Sequence, residues 1–155
     1  MMTDFLNSTM IINLLIAMGL GMALGVERFI AHKTAGMRTY TLVSMGSALF
    51  VIISQLVVVQ FSQTVMFDPL RVAAQVIAAA GFLGVGAIFH NDQRVSGITT
   101  ATGLWVAAGI GMAAGFGFFK LAIVITILAL FTFIVLWSIE KIIQKVSTTP
   151  NEDVQ

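Results

Sequence analysis

The hydrophobic and polar positions divide this chain into five long apolar runs separated by short charged segments. No Asp, Glu, Lys or Arg occurs within residues 5–26, 39–67, 72–89, 95–119 or 121–139. A helix needs about 20 apolar residues to cross the hydrocarbon core of a bilayer, and each run is close to that length or exceeds it. The pattern predicts five membrane helices, at about 10–27, 39–61, 70–89, 98–116 and 119–140.

The segments outside the runs refine these boundaries. The second run is longer than a bilayer requires, so its polar end, residues 60–64, is expected to begin a loop. Asp68 is expected to cap the third helix, because an N-cap carboxylate accepts a hydrogen bond from a free helix N–H and Pro69 suits the first helical position. The polar segment 147–155 is expected to be disordered, which leaves residues 1–146 as one membrane domain.

The composition supports the same class. Hydrophobic residues make up 58% of the 155 residues and charged residues 10%, whereas a soluble domain carries roughly 25% charged residues. The predicted fold class is therefore an all-α integral membrane protein. A net charge of +1 gives no reason to expect a nucleic-acid partner, and the absence of cysteine excludes disulfides and thiolate metal sites.

The cations that flank the runs predict the orientation. One side has six of them: Arg28, Lys33, Arg38, Arg94, Lys141 and Lys145. The opposite side has Arg71 and Lys120. Because Lys and Arg are concentrated in cytoplasmic segments, the amino terminus is expected outside and the carboxyl terminus in the cytoplasm.

Glycines are concentrated in the first, third and fourth runs, and the fifth has none. Small residues let helix backbones approach closely in lipid, where packing drives association. Eight glycines are therefore expected at helix contacts: Gly21, Gly25, Gly81, Gly84, Gly86, Gly97, Gly111 and Gly115. The fifth helix is expected to be peripheral and to face lipid.

Glu27 is the most informative polar residue. It lies at the edge of the first run beside Arg28, and Lys33, Arg38 and Thr39 follow. The simpler interpretation is that the cations anchor the cytoplasmic face. Anchoring needs no carboxylate, however, and a Glu at the edge of the hydrocarbon costs free energy unless it is paired or hydrated. Arg38 or Arg94 is an expected partner, in either a structural ion-pair network or a functional site.

Two further polar clusters each have a structural and a functional interpretation. Arg71 lies in the first turn of the third helix, where the helix dipole disfavours a cation, so Asp68 or Gln75 is expected to be its partner; alternatively, the three line a polar entrance on the outer side. Thr99 and Thr100 begin the fourth helix. Their hydroxyls either bond to the helix backbone or a neighbouring helix, or form a polar lining with the second helix.

The patterns of soluble enzymes and metal sites are not found in the sequence. His32 and His90 lack the acid and nucleophile spacing of a catalytic triad. Carboxylates near the membrane runs include Glu27, Asp68 and Asp92, with Asp68 on the opposite side from the other two. No closed metal site, cofactor or enzymatic activity is therefore expected.

The order of these motifs resembles the membrane domain of the MgtC/SapB family. The matching residues are Gly25-x-Glu27-Arg28, Lys33-x-Ala35-Gly36-x-Arg38-Thr39, Asp68-Pro69-x-Arg71-x-Ala73-Ala74-Gln75-Val76, Gly81-Phe82-Leu83-Gly84-x-Gly86, Val95-x-Gly97-x-Thr99-Thr100-Ala101 and Leu104-Trp105. The resemblance implies a multi-pass protein of the bacterial cytoplasmic (inner) membrane, in a virulence-associated family linked to magnesium limitation and acid stress. Longer members carry a soluble domain after the helices, and this chain is expected to lack it. Ser96 departs from the family pattern, which often has Arg there.

Two functions are compatible with the sequence. The first is a non-enzymatic regulator that supports adaptation to low magnesium or related stress; besides the lipid bilayer, its expected partners are a second copy of the chain or other membrane proteins. The alternative is a small transporter or channel for Mg²⁺ or another ion, built on a parallel repeat. At an offset of 61 residues, Gly25, Gly36, Thr39 and Thr41 coincide with Gly86, Gly97, Thr100 and Thr102.

Overall fold

The computed structural model describes residues 2–61, 68–91 and 94–147. The helices are α1 (Met2–Ile30), α2 (Met37–Phe61), α3 (Pro69–Gly86), α4 (Ile98–Gly115), α5 (Phe119–Phe131) and α6 (Trp137–Ser147). A π-helical segment, Thr132–Leu136, joins α5 to α6 as one continuous helix. A short antiparallel hairpin, β1 (Phe89–Asn91) and β2 (Arg94–Ser96), connects α3 to α4. The five-helix, all-α membrane class is confirmed.

Among the described residues, four helical stretches are long and apolar enough to cross a membrane: Ser8–Ile30, Met37–Phe61, Ile98–Gly115 and Phe119–Gln144. The apolar part of α3, Leu70–Gly86, is shorter. At 1.5 Å per residue, the 18 residues of α3 rise about 27 Å, close to the ~30 Å thickness of the hydrocarbon core. The chain is thus a multi-pass membrane protein.

Four predicted helix boundaries were wrong. The first helix spans Met2–Ile30 rather than about 10–27, and the fifth continues past 140 to Ser147. The third ends at Gly86 rather than 89, because Phe89 pairs with Ser96 in the hairpin and extended backbone cannot continue the helix. Gln60, which was expected to begin the loop, lies in α2, which ends at Phe61. Residues 62–64 of the expected loop and 148–155 of the expected disordered tail lie outside the described residues.

The start of α3 follows its sequence. Asp68 is the N-cap, and its Oδ1 accepts a hydrogen bond of 2.9 Å from the backbone N–H of Leu70, with Pro69 in the first turn. This satisfies one of the helix donors that have no intrahelical acceptor. The cap predicted for the third helix is confirmed.

The packed interior lies where α4 contacts α1 and α2. It is built mainly from small and aliphatic side chains that are buried from several elements, including Ala17, Leu24, Ala48, Leu104, Ala107, Ile110 and Ala114. More than half of the α4 span is buried (56%), against 17% of an 18-residue apolar stretch within Phe119–Gln144. The fifth helix is therefore peripheral, as predicted, and α4 is the central helix of the bundle.

Buried polar side chains connect the helices inside this interior. Ser44 Oγ of α2 donates a 2.8 Å hydrogen bond to the carbonyl of Ala17 in α1. Asn13 Nδ2 of α1 donates a 3.0 Å bond to the carbonyl of Gly115, at the end of α4. That carbonyl is among the last four of its helix, which have no intrahelical donor, so Asn13 both caps α4 and fixes it against α1.

The glycines on which packing was expected occupy different environments. A Cβ atom at Gly25 would lie 2.5 Å from Met37 Cα, one at Gly115 would lie 2.9 Å from Ala48 Cα, and Gly21 and Gly111 meet the α2 backbone at Tyr40 and Ser44. Gly84 is in ordinary contact with Ala101. Gly97 lies against the carbonyl of Ala87 at φ 92°. Gly81 and Gly86 meet no heavy atom within 4 Å among the described residues.

We predict that Gly111→Ala destabilises the bundle, because the added methyl group would overlap the carbonyl oxygen of Ser44. Overpacking of this kind costs about 1–3 kcal/mol. Gly109→Ala is the matched control, since a Cβ there meets nothing within 4 Å. Unfolding of the purified protein by SDS in mixed micelles should show the loss for Gly111→Ala alone; equal midpoints for the two variants would contradict the packing argument.

Candidate functional site

The end of α1 brings two cations to the same end of the bundle as the hairpin, here called the hairpin end. His32 adopts a left-handed conformation, φ 53°. Its N–H bonds to the carbonyl of Phe29 at 3.1 Å, and the N–H of Lys33 bonds to that of Arg28 at 3.0 Å. These two bonds form a Schellman motif, which satisfies helix carbonyls and reverses the chain. Lys33 is therefore held one turn from Arg28.

Arg28 is buried although it carries a permanent charge. Its side chain is 3% exposed, and its Nε donates a hydrogen bond to the Glu27 carboxylate. The guanidinium carbon lies 3.7 Å from the centre of the Phe133 ring, a cation–π contact that strengthens when the cation is desolvated. A buried cation needs such compensation, because an unpaired charge out of water costs several kcal/mol.

Glu27 pairs with Arg28, a partner that the sequence analysis did not name. Arg38 was one candidate, but it is exposed, and the ion pair forms with the adjacent Arg28. Adjacent helix residues do not normally face each other; here the Arg28 side chain turns inward over Phe133 and Glu27 follows it. The side chain of Arg94, the other candidate, lies outside what the structure describes.

The aromatic wall of this region is supplied by the π-helical segment. Such segments are rare, occur mostly as single turns inside α-helices, and are frequent at functional sites. Phe133 lies in this segment, is buried, and contacts Gly103 of α4. A side chain at Gly103 would overlap both the Phe133 ring and the Tyr40 hydroxyl. Because Gly103 has no side chain, both α2 and the π-helical segment can pack closely against α4 at this position.

The first turn of α4 completes the site. Gly97 caps this helix in the left-handed region without a side-chain hydrogen bond to the first turn. Thr100 is buried, and its carbonyl accepts a 3.3 Å hydrogen bond from the hydroxyl of Tyr40. Thr102 Oγ1 bonds to the carbonyls of Ile98 and Thr99. The threonines of this turn thus differ in role, and Thr99 is exposed.

These elements enclose a cavity of about 370 Å³, here called the hairpin-end cavity. Four charged side chains line it, Glu27, Arg28, Lys33 and Glu140, together with Gly97, three threonines (Thr99, Thr100 and Thr132) and Trp137. Two other cavities, of about 450 and 430 Å³, lie between helices and are almost entirely apolar. The hairpin-end cavity is therefore the strongest candidate for a site that handles polar chemistry.

The remaining candidates lie elsewhere. Asp68 and Arg71 are at the opposite end of α3, with Asp68 acting as the cap, and Gln75 lines the apolar groove between α2 and α3. Thr39 is exposed. Within residues 2–61, 68–91 and 94–147, no group of three or more His, Asp or Glu side chains is placed to hold a metal ion.

Sequence reasoning did not single out Tyr40, Phe133, Trp137 or Glu140. Tyr40 is the single tyrosine of the chain and lies in a charge-free run, a signal that was available. Glu140 is the charge that ends the fifth run. Nothing in the sequence distinguishes Phe133 from the many lipid-compatible aromatic residues, because its role depends on the π-helical segment.

The bundle and its polar end define a multi-pass helical membrane protein. A family model described as the MgtC family matches residues 14–142. The chain therefore belongs to the MgtC family, as its motifs indicated.

Individual relatives give the same result. The chain is 42% identical over 116 residues to a protein of Escherichia coli strain K12 named "Putative magnesium transporter YhiD", covering 72% of this chain and 54% of the relative. It is 39% identical over 120 residues to Protein MgtC of Salmonella typhimurium strain LT2, covering 77% and 49%. Protein MgtC of Brucella abortus strain 2308 is 46% identical over 86 residues, covering 56% and 34%.

The chain thus spans about half the length of the first two relatives, and about a third of the length of the third. No solved structure matches it significantly.

We predict strong coupling between Glu27 and Arg28. Arg28→Met alone should cost about 3–5 kcal/mol of unfolding free energy, because it leaves a carboxylate unpaired at a low-dielectric site. The double variant Glu27→Leu/Arg28→Met should cost less than Arg28→Met, since both charges are then removed. SDS unfolding of the four proteins of this double-mutant cycle measures the coupling, with exposed Arg38→Met as the control. Additive costs would contradict the pairing.

Proposed function

We propose that this protein is a non-enzymatic regulator in the bacterial inner membrane, which supports adaptation to low magnesium or related stress by contacting membrane partners. Its membership of the MgtC family supports the link to magnesium. The proposed mode of action, contact with membrane partners, is supported by the exposed face of α3 and by the close packing of the bundle interior.

The observation that carries the proposal is the outward face of α3. Ala74, Gln75, Ala78 and Gly81 are all exposed. Small residues permit close helix approach in lipid, and a polar side chain there is used as an interhelical hydrogen-bonding group. A Gln facing hydrocarbon costs free energy unless it is partnered. The face is therefore suited to another membrane helix, from a regulated protein or from a second copy.

The interior argues against conduction through a single chain. Between α1, α2 and α4 it is filled by side chains such as Ala48, Leu104 and Ile110, and fully buried Tyr40 closes it near the hairpin end. An ion moving along the bundle axis would have to displace these close-packed groups. Regulation by surface contact requires no such opening.

Ion transport is the second candidate function. Two observations favour it. The Escherichia coli relative is named as a magnesium transporter, and a charged cavity lies at one end of the bundle. Intramembrane ionisable residues such as Glu27 commonly mark ion pathways. In this case the path would require either rearrangement of the interior or an assembly of several chains.

We predict that a photoreactive amino acid replacing Ala78 crosslinks to another membrane protein in cells limited for magnesium. The same residue at Ile127, which is 59% exposed on α5, is the matched control and should capture mainly lipid. Adding Gln75→Leu to the Ala78 probe should lower the yield severalfold, because the polar group of the face is lost. Recovery of the chain crosslinked only to itself would remove the main support for regulation of other proteins.

We also predict no protein-dependent Mg²⁺ entry into sealed liposomes that contain the purified chain and a trapped magnesium dye. Empty liposomes give the background rate, and Glu27→Gln tests whether any flux uses the cavity. Flux that appears with the protein and is lost in Glu27→Gln would establish transport and overturn the regulator proposal.

A further inference from the structure

The guanidinium of Arg28 is a buried cation in the wall of the hairpin-end cavity. The side chain is 3% exposed, and its Nε donates a hydrogen bond to the Glu27 carboxylate. An arginine fork of this kind matches a carboxylate or phosphate oxygen pair. The cavity therefore has a buried cation in its wall, beside the carboxylate that pairs with it.

The first turn of α4 adds further donors to the same cavity. The first bond back to the cap runs from the N–H of Ala101 to the carbonyl of Gly97, so the preceding N–H groups of this turn have no intrahelical acceptor. Gly97 offers no side chain to cap them, and Gly97, Thr99 and Thr100 all line the cavity. The positive end of the α4 dipole thus faces the same space as Arg28 and favours an anion.

The balance of charge in the cavity restricts the ligand further. Glu27 neutralises Arg28 in part, Lys33 supplies a second cation, and Glu140 supplies a carboxylate from the α6 side. A phosphate alone would be repelled by the negative charge of Glu140, which lines the same cavity. A phosphate linked to an ammonium group would satisfy both signs of charge.

The position of the cavity fits a ligand at the membrane surface. It lies at the end of the bundle, and Trp137 in its wall also stacks with Lys141, whose Nζ is 3.7 Å from the ring centre. Trp and Lys at helix ends are the residues that anchor proteins at headgroup level. The volume of about 370 Å³ is at the lower end of the range for small-molecule sites, which accommodates a headgroup rather than a large ligand.

We propose that the hairpin-end cavity binds a phosphate group linked to an amine, as in an ethanolamine phospholipid headgroup or its soluble phosphoester. Arg28, Lys33 and the first turn of α4 receive the phosphate, and Glu140 receives the ammonium. This ligand assignment is independent of whether the protein regulates partners or transports an ion.

Trp137 provides a direct readout. Trp105→Phe leaves Trp137 as the single tryptophan, since the chain has two, and Trp105 is outside this cavity. Purified protein in detergent is titrated with a short-chain ethanolamine phospholipid, a short-chain phosphatidylglycerol, O-phosphoethanolamine and inorganic phosphate. We expect a saturable fluorescence change with the ethanolamine phospholipid at lower concentration than with phosphatidylglycerol. Equal or stronger binding of O-phosphoethanolamine would identify the soluble ester as the source of the same group.

Two variants with matched controls test the residues. Lys33→Gln should raise the Kd about tenfold, the effect of losing one charge-assisted hydrogen bond, whereas Arg38→Gln, an exposed cation at the same end of the bundle but outside the cavity lining, should leave it unchanged. Glu140→Gln should remove the preference for ethanolamine over glycerol headgroups. Both side chains are exposed, so the variants are expected to fold. The proposal is overturned by the absence of saturable binding of every probe, by equal effects of Lys33→Gln and Arg38→Gln, or by an unchanged headgroup preference in Glu140→Gln.

Discussion

The close approach of α2 and α4 determines where the other helices lie. Gly111 and Gly115 remove the side chains that would separate the two backbones at Ser44 and Ala48. Ser44 can then reach across to Ala17 of α1, and Asn13 of α1 to the end of α4. In lipid there is little hydrophobic gain from bringing apolar helices together, so close packing and these few hydrogen bonds must define the bundle. The helix without glycine remains outside it.

The same constraint produces the polar end of the molecule. Because Gly103 has no side chain, the Tyr40 hydroxyl and the Phe133 ring both contact α4 there. Phe133 in turn forms the surface on which the Arg28 guanidinium lies. The buried cation, the π-helical segment and the tyrosine are therefore parts of one arrangement, and all three depend on a glycine in the middle of the first half of α4.

Sequence patterns identified the parts of this structure that depend on local chemistry. Charge-free runs located five helices, the Asp68-Pro69 pair located the start of α3, and the lack of glycine placed the fifth helix at the periphery. The hairpin after Gly86 was missed, because the apolar run continues through Phe89 while the pairing with Ser96 comes from β2. The partner of Glu27 was also missed. Spacing favoured a cation on another helix, whereas the direction of the Arg28 side chain is set by Phe133, about 100 residues away.

Stability alone gives a poor account of the Glu27–Arg28 pair. Replacing a buried ion pair with apolar side chains of similar volume is often neutral or stabilising, because both charges must be desolvated. An apolar pair at the end of α1 would pack against Phe133 at lower cost. The pair lies in the wall of a polar cavity rather than inside the sealed part of the bundle. The positive charge that Arg28 places in the wall of the cavity explains its burial better than a contribution to stability does.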